Sequence, residues 1–194
     1  HNVKQFKEDP KVREQIKAAK TIGCFYIESP AMRVLLTKLR CSDYLTLVAA
    51  SSIIRPGVAK SGMMRAYIER FHQPDSFEYL HPVMEKLLKE TYGVMVYQED
   101  VIKVAHHFAG LTLEESDVLR RGMSGKFRSP EEMEKIRGRF MQNCVERGYP
   151  EKIYTEVWRQ IASFSGYSFS KAHSASYAVE SYQSLYLKTY YPLE

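Results

Sequence analysis

Apolar residues recur at helical spacing along nearly the whole chain, and residues that start or stop helices bound each run. Met32, Leu35, Leu36 and Leu39 share one helical face. Ser29-Pro30 stands just before them, pairing a hydroxyl that can accept a terminal N–H with a proline suited to the first helical position. Asp43 opens a second helix with Leu45, Leu47, Val48 and Ile53 or Ile54, and Arg55-Pro56-Gly57 is predicted to stop it. Ser61 is the expected cap of a third helix carrying Met64, Tyr67, Ile68 and Phe71. His81-Pro82 starts a fourth with Val83, Leu87 and Leu88.

Tyr92 to Tyr97 breaks this rhythm. Its Val94 and Val96 suit a short extended run, while a helix beginning near Gln98 competes for part of it. Val101, Val104, Ala105 and Phe108 then form a helical face that Gly110 ends. Thr112-Leu-Glu-Glu115 and Ser129-Pro-Glu-Glu132 both read as capping boxes, in which a hydroxyl and a carboxylate three residues on satisfy backbone donors reciprocally. The second box leads into Met133, Ile136, Phe140, Met141 and Cys144, with a stop at Gly148. Another helix follows Pro150 through Ile153, Val157, Trp158 and Ile161. A last long one is predicted over about residues 174–190, with Tyr177, Ser181, Tyr182, Leu185 and Tyr186 at helical spacing. The tyrosines among these read as packing residues before base-stacking platforms. The expected fold class is mainly α, a multi-helix domain with at most short extended segments, and no repeat, low-complexity tract or linker interrupts it.

Composition adds bounds to this picture. A chain of 194 residues can bury a proper core as one large domain or two small ones. Cys24, Cys41 and Cys144 are odd in number and widely spaced, so they read as reduced, buried thiols of a cytoplasmic protein. The net charge of +5 suits a polyanionic partner without requiring one. No apolar run approaches the roughly 20 residues of a membrane span, and the charged stretch His1 to Glu8 does not resemble a signal peptide. The first residue is not Met and the last four are Tyr-Pro-Leu-Glu, which predicts a piece of a longer protein.

Two stretches carry candidate chemistry. Residues 119–128, Leu-Arg-Arg-Gly-Met-Ser-Gly-Lys-Phe-Arg, hold Arg120, Arg121, Lys126 and Arg128 and no acid. Cations at a helix end complement its dipole, but Gly122 and Gly125 also make the backbone compliant there, so guanidinium forks and N–H groups can converge on phosphate. Phosphate binding and a solvated basic turn are both compatible with these residues. The glycine spacing is too short for a phosphate loop of the ATPase type, and Phe127 stands where Ser or Thr would hold magnesium. The second stretch, residues 166–177, sets Lys171 and His173 at the start of the last helix, a poor place for cations unless an anion joins them. The alternative there is a solvated lysine and a locally capping histidine. Glu99 and Asp100 splay apart as helix neighbours, as do His106 and His107, so neither pair reads as a metal site. No catalytic constellation is found.

Several motifs occur together in order: Thr21-Ile-Gly-Cys-Phe-Tyr-Ile-Glu-Ser29, Arg55-Pro-Gly57, Ser61-Gly-Met63, Tyr79-Leu-His-Pro82 and Glu90-Thr-Tyr-Gly-Val-Met-Val-Tyr-Gln-Glu99. Asp117-Val-Leu-Arg-Arg121, Phe169-Ser-Lys-Ala-His173 and Tyr182-Gln-Ser-Leu-Tyr-Leu-Lys188 complete the series. This series resembles the alpha subunit of bacterial DNA polymerase III, a family of C-type replicative DNA polymerases, over nearly the whole chain. The resemblance implies a fingers region, with residues 1–22 as the connection from the palm side and residues 23–194 as the helical fingers domain. It implies that Arg120 and Arg121 bind the triphosphate of an incoming dNTP, with Lys126, Lys171 and His173 around the nucleotide or template and Arg128 on DNA. It also implies catalytic carboxylates and Mg2+ in a palm outside this stretch, so that the piece alone is inactive. The partners so implied are primer–template DNA, dNTPs and, through the longer protein, a sliding clamp and clamp loader. The chain departs from the family pattern at Ser170 and Ala172 and in a longer turn through Phe127, Arg128 and Ser129. The competing expectation is a stand-alone helical nucleic-acid-binding module with no enzymatic activity.

Overall fold

The computed structural model describes residues 3–54, 61–123, 130–164 and 171–192, with Met123 described in its backbone only. Its contacts divide the chain into two compact units, residues 1–54 with 171–194 and residues 55–170. Among the described residues the structure is built of α-helices, one 3-10 turn and one π turn, with no strand.

The first unit holds α1 (Val3–Glu8), α2 (Pro10–Lys17), α3 (Pro30–Leu39), α4 (Tyr44–Ile53) and α11 (Lys171–Tyr190). The predicted caps are present. Ser29 Oγ accepts from the Met32 N–H at 3.2 Å and Asp43 Oδ1 from the Thr46 N–H at 2.9 Å. Asp9 does the same for α2, accepting from Val12 at 3.0 Å. Met32, Leu35, Leu36 and Leu39 are buried as their spacing predicts, and α4 is buried from Thr46 to Ile53. Leu45, expected on the apolar face of α4, is exposed instead, since it lies on the first turn before the helix enters the core.

Helix α11 packs most closely on α4, and also on α1 and α2. Small residues on both helices let the backbones approach: Ala49, Ala50, Ser51 and Ser52 on α4, and Ser174, Ala178 and Ser181 on α11, are all buried. The hydroxyls there are used. Ser52 bonds Ser174, Ser51 donates to Leu47 O at 2.8 Å, and Ser181 donates to Tyr177 O at 2.7 Å and Phe25 O at 3.0 Å. Tyr182 is fully buried and Tyr177 and Tyr186 make ring contacts with Tyr26 and Phe6, so these tyrosines pack, as expected. The helix begins at Lys171, three residues before the predicted start.

The second unit contains α5 (Met63–His72), α6 (Pro82–Leu88), the 3-10 turn Lys89–Thr91, α7 (Gln98–Lys103), the π turn Val104–Phe108, α8 (Leu113–Met123), α9 (Pro130–Glu146) and α10 (Glu151–Ala162). Phe108 is its aromatic centre, stacked on Tyr149 at 4.4 Å between centroids and near Phe140, which in turn meets Trp158 at 5.1 Å. His81 caps α6 through Nδ1, accepting from Val83 at 3.1 Å. Ser61 is not the cap of α5. Its hydroxyl accepts from the Met63 N–H at 3.3 Å, but Gly62 occupies the capping position with a left-handed φ of 80° and no side chain to offer. The stop at Arg55-Pro56-Gly57 and the Ser129 cap lie outside the described residues.

Val94 to Val96 is buried but forms no strand. The reason is local: the Asp100 carboxylate accepts from both the Val96 and Tyr97 N–H groups at 2.9 Å, taking donors a neighbouring strand would need. All three cysteines are reduced and buried.

Candidate functional site

The basic pair sits on a helix whose beginning is well anchored. Thr112 Oγ1 accepts from the Glu115 N–H and Glu115 Oε1 from the Thr112 N–H, both at 3.1 Å, which is the capping box read in the sequence. Burial alone would raise the Glu115 carboxyl, but the Thr112 N–H and Arg139 outweigh it and hold it below its ordinary value. Arg139 Nε reaches Glu115 Oε2 at 3.3 Å and so ties α9 to the start of α8. Ser116 and Leu119 point into the core, which sets Asp117, Arg120 and Arg121 on the outer side. Acids in the first turn and arginines in the last complement the helix dipole.

Residues 119–128 carry no acid, but one stands a turn earlier. Asp117 holds both arginines, with Arg120 Nε donating to Oδ1 at 2.8 Å and Arg121 Nε 3.3 Å from Oδ2. The Arg121 contact is an ion pair without an aligned hydrogen bond, and its Nε is a buried donor with no acceptor among the described residues. Side-chain exposures of 41% and 36% for the arginines and 49% for Asp117 make this a surface network, weak as a source of stability. The hydrogen bond from Arg120 is the chief reason the Asp117 carboxyl is held below the usual range, aided by both guanidinium charges.

Both anchors engage Nε, and among the described residues no other acceptor contacts either guanidinium. The remaining N–H groups have the donor chemistry that pairs with phosphate oxygens. Their spacing on α8 brings Arg120 and Arg121 together only because a shared carboxylate lies one turn back. The i–3 and i–4 relation of Asp117 to the pair was the signal that could have revealed it in the sequence.

The other candidates are placed differently. Lys171 and His173 occupy the first turn of α11 in the other unit, and His173 is exposed. Lys126 and Arg128 lie outside the described residues. His106 and His107 have ring centroids 4.8 Å apart, and His106 Nδ1 is 2.7 Å from Leu111 O, a local bond at the helix end. Glu99 and Asp100 do not act together either, because Asp100 is committed to two backbone N–H groups. Among the described residues, no three His, Cys, Asp or Glu side chains gather as a metal site would require.

Residues 2–148 match the family described as the bacterial DNA polymerase III alpha subunit finger domain. The chain is 42% identical over 187 residues to DNA polymerase III subunit alpha of Aquifex aeolicus, covering 96% of this chain and 16% of that protein. It is 40% identical over 186 residues to the protein of the same name from Campylobacter jejuni, covering 96% and 15%, and 38% identical over 185 residues to that of Staphylococcus aureus, covering 95% and 17%. The chain thus spans roughly a sixth of the length of these relatives.

Proposed function

Because this chain belongs to the bacterial DNA polymerase III alpha subunit finger domain family, we propose that it is the part of a longer DNA-directed DNA polymerase that grips the incoming dNTP by its triphosphate and closes on primer–template DNA. The observation that carries this reading is the pair of guanidinium groups, Arg120 and Arg121, gathered on one carboxylate at the last turns of α8. Phosphoryl transfer builds negative charge on the triphosphate, and fixed guanidinium donors stabilise it without having to reorganise during the reaction. Arginine suits the role because it stays charged and presents two parallel donors to two oxygens. Lys171 and His173, at a helix start that favours anions, are a separate candidate for contact with nucleotide or template. Metal-bound chemistry is assigned to the palm of the longer protein, and no step of the proposal passes through a metal on this chain.

The test is steady-state incorporation by the full-length polymerase as a function of dNTP concentration, with a melting curve for each variant. Arg120→Ala and Arg121→Ala are each expected to lower the efficiency of nucleotide use about ten- to a hundredfold, the equivalent of about 1.5–3 kcal/mol for a charged hydrogen bond, with much smaller loss of DNA affinity. Arg→Lys is expected to recover part of the loss, since charge returns without the fork. Normal kinetics with an earlier melt would mark the arginines as structural and remove them from the site.

A further inference from the structure

Adjacent residues on a helix point about 100° apart, so Arg120 and Arg121 do not converge by themselves, and their like charges oppose convergence. One side chain in the structure overcomes both effects. Asp117 lies three residues before one arginine and four before the other, on the same helical face, and its two oxygens meet the two Nε atoms at 2.8 and 3.3 Å. We infer that Asp117 is a positioning residue for nucleotide binding: it gathers Arg120 and Arg121 by their Nε edges and turns their terminal N–H groups toward one triphosphate.

This inference rests on the nucleotide reading above. It adds a residue that touches no nucleotide itself and acts only through the arginines. The exposure of all three side chains makes a stability role small, because solvent-screened pairs contribute little to folding. Orientation is a different matter. Two flexible guanidinium groups already held near one place lose less freedom when a ligand binds. The Arg120 hydrogen bond also holds the Asp117 carboxyl below its ordinary value, which favours the ionised anchor. Arg121 is held by the longer of the two ion pairs, and its buried Nε has no aligned acceptor among the described residues.

The test is Asp117→Asn in the full-length polymerase, where the amide keeps the shape but offers one acceptor oxygen and no charge. The expected result is an apparent KM for dNTP raised roughly threefold to tenfold with kcat, DNA affinity and melting temperature little changed. Asp117→Glu, whose longer arm still reaches both arginines, is expected to restore part of the KM. In a variant that already carries Arg120→Ala and Arg121→Ala, Asp117→Asn is expected to add nothing further. An unchanged or lowered KM in Asp117→Asn overturns the inference, a lowered one meaning that the carboxylate merely repels the triphosphate. A KM shift that persists in the double alanine background also overturns it while leaving the arginines in place. If the double alanine variant itself uses nucleotides normally, the nucleotide reading fails and the positioning role goes with it.

Discussion

Cys41 and Cys144 show how burial changes the chemistry of a single side chain. Burial pushes the Cys41 thiol up to about 12, with the nearby Asp43 charge adding to the effect, and the Cys144 thiol up to about 11. At neutral pH both are protonated and sheltered, so they are poor nucleophiles. A thiol reagent at pH 8 is therefore expected to label them only after the fold is opened with denaturant, and rapid labelling in native buffer would contradict their burial. The sign of the pH effect follows. The folded state retains protons that the unfolded thiols, near 9, release, so their contribution is full below about pH 9 and is lost as pH rises through 11 to 12. Alkaline denaturation curves of Cys41→Ala and Cys144→Ala are expected to fall less steeply in that window. Cysteine count and spacing implied reduced, buried thiols, but the size of the shift depends on which groups surround each sulfur.

At the scale of elements, the end of the π turn depends on a side chain far along the sequence. Arg147 Nη1 donates to His107 O at 2.9 Å and Phe108 O at 3.0 Å, satisfying carbonyls that the helix end leaves open. Gly110 lies directly against that guanidinium, and a Cβ there would stand 2.4 Å from Arg147 Nη2. Its φ of +66° is also one that side chains other than glycine rarely adopt. Gly110→Ala should thus displace Arg147 and strain the backbone together, at about 1–3 kcal/mol in a denaturant titration. Arg147→Ala alone should cost about 1 kcal/mol, and the double variant should be less destabilised than the sum of the two. Additive effects would show that the two residues do not act through one another. The sequence marked Gly110 as a helix stop, and rightly, but the partner that makes alanine costly is brought there by the packing of α9.

At the scale of the whole molecule, this chain alone, with primer–template, dNTPs and magnesium, is expected to extend nothing, because it spans roughly a sixth of the length of its polymerase relatives and the proposed nucleotide grip leaves metal-bound chemistry to the rest of the longer protein. It is expected to bind DNA weakly and without sequence preference, through Lys and Arg contacts to phosphate, so that affinity drops steeply with salt. Primer extension by a clean preparation would refute the first expectation, and salt-independent or sequence-selective binding the second, in favour of a dedicated binding module.

What the sequence determined by itself was governed by short-range rules. Apolar spacing, Ser29-Pro30, Asp43 and the Thr112–Glu115 box all concern residues within a turn or two of one another, and each gave the helix it predicted. The ordered motifs also carried the family, which matches at residues 2–148. Tertiary structure decided what required knowledge of neighbours. Val94 and Val96 have strand-like composition, yet the Val94 N–H goes to Thr91 O and Asp100 takes the Val96 and Tyr97 N–H groups, so the run is buried by the fold around it without becoming a strand. The small serines and alanines of α4 and α11 give little periodic signal, and become informative only when two helices approach closely enough to bury them. Asp117 belongs between these cases. Its spacing to Arg120 and Arg121 was visible, but which way three flexible charged side chains turn depends on what the helix buries, and only Ser116 and Leu119 packed inward leave the three together on the outer face.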